Sequence, residues 1–295
     1  METQLIIRRR LITEEDLSLI RCLIEQEGAR GRTYISRQLC RIWDWRQPNG
    51  LFREIACRDL LRKLQAGGLV QLPAMLAAPR RAGYRNRVPI PDLPEGIPLA
   101  KALSEVREEI EVTLIRSREQ FQLFRAFIAN CHYLGYQQPT GEQLKYLAYY
   151  QNRPIACLSF GPSAYKIADR DQFIGWSPAL RQERLPWVVN NDRFLILPWV
   201  KVPNLGSFLL SRCVRRLRRD WQRIYNHDLA LVETFVEAAR FRGSCYAAAN
   251  WICVGQSKGR GRNDRFQQRA LPVKTIWLYP LQPDFREILC AAPAP

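Results

Sequence analysis

Eight residues, Leu229 to Val236 (Leu-Ala-Leu-Val-Glu-Thr-Phe-Val), constrain this chain more than any other segment. A run this apolar and this rich in β-formers predicts a buried strand rather than a half-exposed one. Glu233 lies inside it, on the face it shares by period two with Leu231 and Phe235. A carboxylate in that position is costly to desolvate unless something pairs with it. The run therefore predicts a buried strand that carries an acid and needs a partner for it.

The elements around the run alternate. Hydrophobic periodicity predicts a strand over 111–115, a helix over 118–131, a strand over 143–150, a turn at Gln151-Asn152-Arg153-Pro154 and a strand over 155–160. A short helix near 178–184, a strand over 193–200 and a long helix over 206–225 come next. Beyond the central run, a helix over 244–250 and strands over 251–254 and 273–279 complete the order. Such an order predicts an α/β domain, 111–295, built on a mixed sheet with a hairpin in its first half.

Residues 1–75 read as a separate α-helical domain. Thr13 with Asp16 predicts the N-cap of a helix over 14–27, with Leu17, Ile20, Leu23 and Ile24 on one face. Helices over 34–45 and 51–66, a stop at Gly67-Gly68 and a strand over 69–72 give the order of a winged helix. Arg53, Arg58, Arg62 and Lys63 on the third helix are candidates to lie along a DNA groove. Residues 76–110 are a Pro/Arg-rich linker in which Arg80, Arg81 and Arg85 are suited to following a phosphate backbone.

Charge points to a partner class. Lys and Arg number 45 against 28 Asp and Glu, a formal +17. Arginine dominates that excess and favours bidentate contact with phosphate, so DNA, double- or single-stranded, is the expected partner. Six arginines on the 206–225 helix, Arg215, Arg216 and Arg219 among them, extend the same expectation. No apolar run approaches a membrane span. The nine cysteines contain no CxxC pair, and with two histidines they argue against a zinc cluster. Their odd number and the absence of a signal-peptide pattern predict a cytoplasmic protein with buried thiols.

Two resemblances bear on the 111–295 domain. Its element order resembles the GNAT acetyltransferases, where a tyrosine on the helix after the fifth strand is the general acid. Tyr246 stands in that place, with Asn250-Trp251 following. Those enzymes open their long helix with a glycine-rich pyrophosphate loop; this chain has Val202-Pro203-Asn204-Leu205-Gly206-Ser207. More specifically, the sequence resembles the DruA-like family, found with Druantia anti-phage systems and as transposon-associated proteins. The blocks that carry this are Arg170-Asp171, Ile174-Gly175-Trp176, Asn190 to Val200, Asn204 to Ser207, Asp220-Trp221, Glu233 to Val236, Gly243 to Tyr246 and Gly259 to Arg262. The resemblance implies a role with DNA in mobile elements or phage defence.

Tyr246, Glu233 and Asp171 are the candidate catalytic residues. A phenol can attack phosphorus if its pKa is lowered and the phosphorane is stabilised. Lys258, Arg260 and Arg262, with Gly259 and Gly261, are suited to clamping a phosphate. Glu233 is a candidate base for Tyr246, or with Asp171 a candidate Mg²⁺ site. A core tyrosine hydrogen-bonded to Glu233, and a structural Glu–Arg pair, are the alternatives. The resulting expectation is a DNA-binding enzyme that cleaves or transfers strands. A DNA sensor recruiting a helicase-type effector and a coenzyme A-dependent acyltransferase are the alternatives. Homodimerisation, metal dependence and the DNA sequence or structure recognised stay open.

Overall fold

The structure is a computed structural model that describes residues 5–7, 10–46, 50–74, 92–137, 140–259 and 271–291. Arg80, Arg81, Arg85, Arg260 and Arg262, all expected on a DNA interface, lie outside the described residues. The chain divides into two compact units, 1–88 and 89–295.

Unit 1 begins with a two-stranded antiparallel ribbon, β1 (Leu5–Ile7) and β2 (Arg10–Ile12). Helices α1 (Glu14–Glu27), α2 (Arg32–Ile42) and α3 (Glu54–Ala66) follow. The Thr13 hydroxyl accepts the Asp16 N–H at 3.2 Å and the Asp16 carboxylate accepts the Thr13 N–H at 3.3 Å, the reciprocal box the sequence predicts. Ile20, Ile35, Leu39, Leu60, Leu61 and Leu64 close the core between the helices.

The expected strand over 69–72 does not form. Val70 and Leu72 are drawn into the helical core, while the Leu69 carbonyl accepts the Arg21 guanidinium at 3.1 Å. Side-chain burial and that anchor hold the segment, which has no sheet partner among the described residues. No wing is present among the described residues. The cations expected along a groove also have contacts within the unit. Arg62 and Lys63 reach Asp59 of their own helix, and the Arg53 guanidinium donates to the Arg46 carbonyl at 2.7 Å.

Unit 2 contains α4 (Leu103–Val106), β3 (Ile110–Leu114), α5 (Arg118–Cys131), β4 (Leu144–Tyr150) and β5 (Arg153–Pro162). It continues with α6 (Ala168–Ile174), α7 (Pro178–Arg184), β6 (Val188–Ile196) and α8 (Leu205–Tyr225). Last come β7 (Leu231–Glu237), α9 (Ser244–Ala248), β8 (Ile252–Gln256), β9 (Lys274–Pro280) and α10 (Phe285–Cys290). The fold is mixed α/β on one seven-stranded sheet, ordered β3-β4-β5-β6-β7-β9-β8. Every pairing is antiparallel except β6 with β7. Parallel neighbours need a crossover, and the 21-residue α8 supplies it.

Successive residues of a strand face opposite sides of the sheet, so two apolar layers cover it. One contains Val232 with Leu209, Leu217 and Trp221 of α8; the other contains Leu231 with Ile174, Phe285 and Leu289. The end of the expected linker belongs to unit 2. Gly96 lies against the Trp199 ring, Leu99 donates to the Trp199 carbonyl at 3.0 Å, and α4 buries Val106. At the outer edge of the sheet Asp169 of α6 accepts the outward Gln256 N–H of β8 at 2.9 Å. Among the described residues no helix is long and apolar enough to cross a membrane, and all nine cysteines are free thiols.

Candidate functional site

Strands β6 and β7 stay in register for only three pairs, Val188↔Leu231, Val189↔Val232 and Asn190↔Glu233. Both run on past that point, β6 to Ile196 along β5 and β7 to Glu237 along β9, so they diverge. The gap is a cleft of about 660 Å³ at the carboxyl ends of the parallel strands. Open α/β sheets present their ligand sites at this position. A bulge in β6 that leaves Asp192 without a partner on β5 sits at the point of divergence.

Three side chains form the apex. The buried Asn191 amide donates to the Ser159 carbonyl at 2.9 Å and the Arg193 carbonyl at 3.2 Å. Its oxygen accepts the Tyr246 hydroxyl at 2.8 Å. Thr234, across the gap on β7, donates to the Asn191 carbonyl at 2.9 Å. Phe194, Leu195 and Ile196 of β6, Val236 of β7 and Cys245 of α9 line the walls. At the mouth Tyr133 carries the Arg240 guanidinium 4.8 Å above its ring and stacks on His132 at 4.9 Å. Burial, with Arg193 nearby, pulls the His132 imidazole down to about 4, so it is neutral near pH 7.

Tyr246 reaches the apex because α9 starts sharply. Gly243, at φ +73°, caps it, and a Cβ there would come within 2.6 Å of the Trp277 ring. Only glycine accepts both the left-handed backbone and that approach. Burial pushes the Tyr246 phenol up, away from the phenolate a nucleophile needs. Glu233 is one residue from Thr234 on β7 and so faces the opposite side of the sheet from Tyr246. It cannot serve as that tyrosine's base, and the expected Tyr246–Glu233 hydrogen bond is replaced by Tyr246–Asn191.

The partner that Glu233 requires is Arg170, 63 residues upstream on α6. Their side chains are both 0% exposed and meet at 2.8 Å. The second Glu233 oxygen accepts the Ala164 N–H at 2.6 Å. Burial pushes the Glu233 carboxyl up, and Arg170 pulls it partly back. Asp171 holds the other edge of the same guanidinium at 2.7 Å and also accepts Trp176 and Arg181. Glu233 thus clamps α6 to the sheet through Arg170, and Asp171 braces that guanidinium and ties it to Trp176 and Arg181. Among the described residues no cluster of three metal-ligating side chains occurs, so the Mg²⁺ expectation finds no site there.

Among the unit 2 candidates Lys258, Arg215, Arg216 and Arg219, none lines the cleft. Lys258 is exposed beyond β8, and Arg215 and Arg219 are exposed on α8. Arg216 is bound inward to Asp220 at 2.6 Å and to the Val112 carbonyl. Asn191 and Thr234 are site residues the sequence did not single out for this role. The signal for Asn191 was the amide pair Asn190-Asn191 beside an apolar strand. The first turn of α8, at the end of the β6 connection, makes a poor phosphate cradle. Pro203 has no N–H, and a Cβ on Gly206 would meet Cys245 at 3.0 Å, so α9 covers that turn.

Solved structures with a similar arrangement include a putative acetyltransferase, yncA, of Salmonella typhimurium with acetyl-CoA, at TM-score 0.40 and 11% identity, covering 63% of this chain and 98% of that one. The ribosomal-protein-S18-alanine N-acetyltransferase of Escherichia coli gives 0.38 and 11%, covering 59% and 94%. An N-acetyltransferase of Staphylococcus aureus gives 0.36 and 12%, covering 58% and 97%. The expectation of a DNA strand-cleaving or strand-transferring enzyme is corrected. Its nucleophile is a protonated, hydrogen-bonded phenol, and its base lies on the other face of the sheet. Among curated proteins none matches the chain. Residues 95–270, more than half of the 295, match the family described as Druantia protein DruA, and the chain belongs to that family.

Proposed function

We propose that unit 2 is an acyl-transfer domain whose β6–β7 cleft takes the extended pantetheine arm of an acyl thioester. One observation carries this reading: two parallel strands stop pairing after three register pairs and leave their inner edges facing a cleft of about 660 Å³. An open strand edge presents unpaired N–H and C=O groups, and an extended ligand with its own amides satisfies them by adding as a strand. A pantetheine arm has two amides along a thin chain. Phe194, Ile196 and Val236 supply the apolar walls its methylene segments require.

In the proposed reaction an acceptor amine attacks the thioester carbon. A C–N bond forms, the C–S bond breaks, the amine gives up a proton and the departing thiolate gains one. Tyr246 suits the second proton transfer. Its raised pKa keeps it protonated; the hydroxyl, which rests on the Asn191 oxygen, would turn to the departing sulfur, and the proton the amine gives up restores it.

The reading is tested by titrating acetyl-CoA and acetyl-pantetheine into the full chain by calorimetry, alongside Ile196→Trp, which fills the cleft wall. Saturable binding of both, lost in the tryptophan variant, is expected. Absence of binding by either thioester to the wild type overturns it.

A further inference from the structure

Helix α8 exposes Arg212, Arg215, Arg219 and Arg223 on its outer side. Steps of three, four and four residues keep them on one stripe, about 16 Å long at 1.5 Å per residue. Among the described residues no carboxylate comes within ion-pair distance of Arg212, Arg215 or Arg223. The helix has one acid, Asp220, which is turned inward to Arg216 and Tyr146 and also lies 3.7 Å from Arg219. Phe208 supports the first cation of the stripe, with the Arg212 guanidinium 5.0 Å above its ring. The stripe begins near the end of α8 that packs, through Gly206 and Cys245, against the cleft wall.

That end of the helix is unsuited to a pyrophosphate, for the reasons given above: Pro203 offers no amide and Gly206 is covered. The cleft thus accepts an arm while the chain beside it offers little to a free nucleotide. What it offers instead is a row of guanidiniums, three of them with no carboxylate partner among the described residues, whose planar forks match carboxylates. We propose that the acyl donor is carried on an acidic protein, which docks on the arginine stripe of α8 and inserts its phosphopantetheine arm into the β6–β7 cleft. This rests on the acyl-transfer reading of the same cleft. The packing of Gly206 on Cys245, which joins the start of α8 to the cleft wall, favours a protein that bears the arm over a nucleic acid, which would use the stripe alone.

The test measures binding to the full chain of four probes. They are a bacterial acyl carrier protein bearing an acetylated arm, the same carrier without its arm, acetyl-CoA and a short oligonucleotide. The variants are Arg212→Glu/Arg215→Glu/Arg219→Glu, checked for folding by circular dichroism, and Ile196→Trp. Charge reversal is expected to weaken the acetylated carrier by roughly 30-fold or more and to change acetyl-CoA affinity by less than about twofold. Removing the arm, or adding Ile196→Trp, is expected to weaken the carrier as well. Binding of acetyl-CoA with no carrier binding, or carrier binding indifferent to charge reversal, overturns the docking proposal and leaves acyl transfer standing. Oligonucleotide binding lost on charge reversal, with the carrier inert, assigns the stripe to nucleic acid instead. If neither thioester probe binds, the acyl-transfer reading fails first.

Discussion

Replacing Arg170 by Met strips the counter-charge from Glu233 while preserving most of the buried volume. In the native protein the two side chains are fully buried, 2.8 Å apart, and the guanidinium is completed by Asp171 and the Ala164 carbonyl. Without Arg170, Glu233 must hold an uncompensated charge in the sheet or take up a proton. From an ordinary carboxyl pKa near 4.3, protonation at pH 7 costs about 3.7 kcal/mol at 1.36 kcal/mol per unit. That route caps the charge penalty. Lost hydrogen bonds add about 1 kcal/mol, and the total agrees with the roughly 3–5 kcal/mol expected on breaking a buried pair.

The sign of the pH dependence follows directly. In the variant the folded pKa of Glu233 lies far above its unfolded value, so the folded state binds the extra proton. Stability is then retained below the unfolded pKa and lost as pH rises from about 4.3 towards 7. The deficit of Arg170→Met relative to wild type should shrink by up to about 1.4 kcal/mol for each pH unit lowered. Urea denaturation at pH 5, 6 and 7 reads this, and Arg170→Met/Glu233→Gln should flatten it. A deficit that is large and independent of pH would refute the account of Glu233 as a buried charge held by Arg170.

Tyr246→Phe removes the hydrogen bond to Asn191 and should cost about 1 kcal/mol in stability. In the proposed reaction it should also lower kcat by about 10²–10⁴-fold with thioester affinity unchanged, measured by thiol release. Gly243→Ala forces a Cβ into the Trp277 ring at a positive φ; a loss of roughly 2 kcal/mol or more is expected by thermal melting. His132 has a depressed folded pKa, so it should stay neutral down to about pH 4 in a nuclear magnetic resonance titration. The unfolded chain binds its proton near pH 6.5, so this histidine makes the protein less stable as pH falls from there to about 4. His132→Gln should lessen that loss.

Local rules made parts of this fold readable in advance. The Thr13–Asp16 box and the arginine-flanked apolar face of α8 each depend on residues within a few turns of one another. The hairpin turn does too, with Gln151 and Asn152 both at positive φ. The need of Glu233 for a partner was also legible, because desolvating a lone carboxylate is costly wherever it occurs. Its partner was not, since nothing in the apolar run points to an arginine 63 residues earlier on a different helix. The same holds for the cleft. Whether β6 and β7 remain paired beyond Asn190 and Glu233 depends on how each is held by its outer neighbour, and strand composition carries no trace of that. Leu69–Leu72 shows the opposite case, a β-like pattern drawn into a helical core.

The contact between Asp169 and the Gln256 amide has a bearing on colloidal behaviour. Among the described residues the outermost strand, β8, pairs with β9 alone, and Ile252 and Cys253 on it are exposed. A negatively charged plug at 2.9 Å occupies the Gln256 amide and repels an incoming backbone carbonyl. Gly255 lets the plug approach, because a Cβ there would fall within 1.8 Å of the same carboxylate. Head-to-head stacking of molecules along this rim is thereby discouraged at the cost of one glycine and one aspartate.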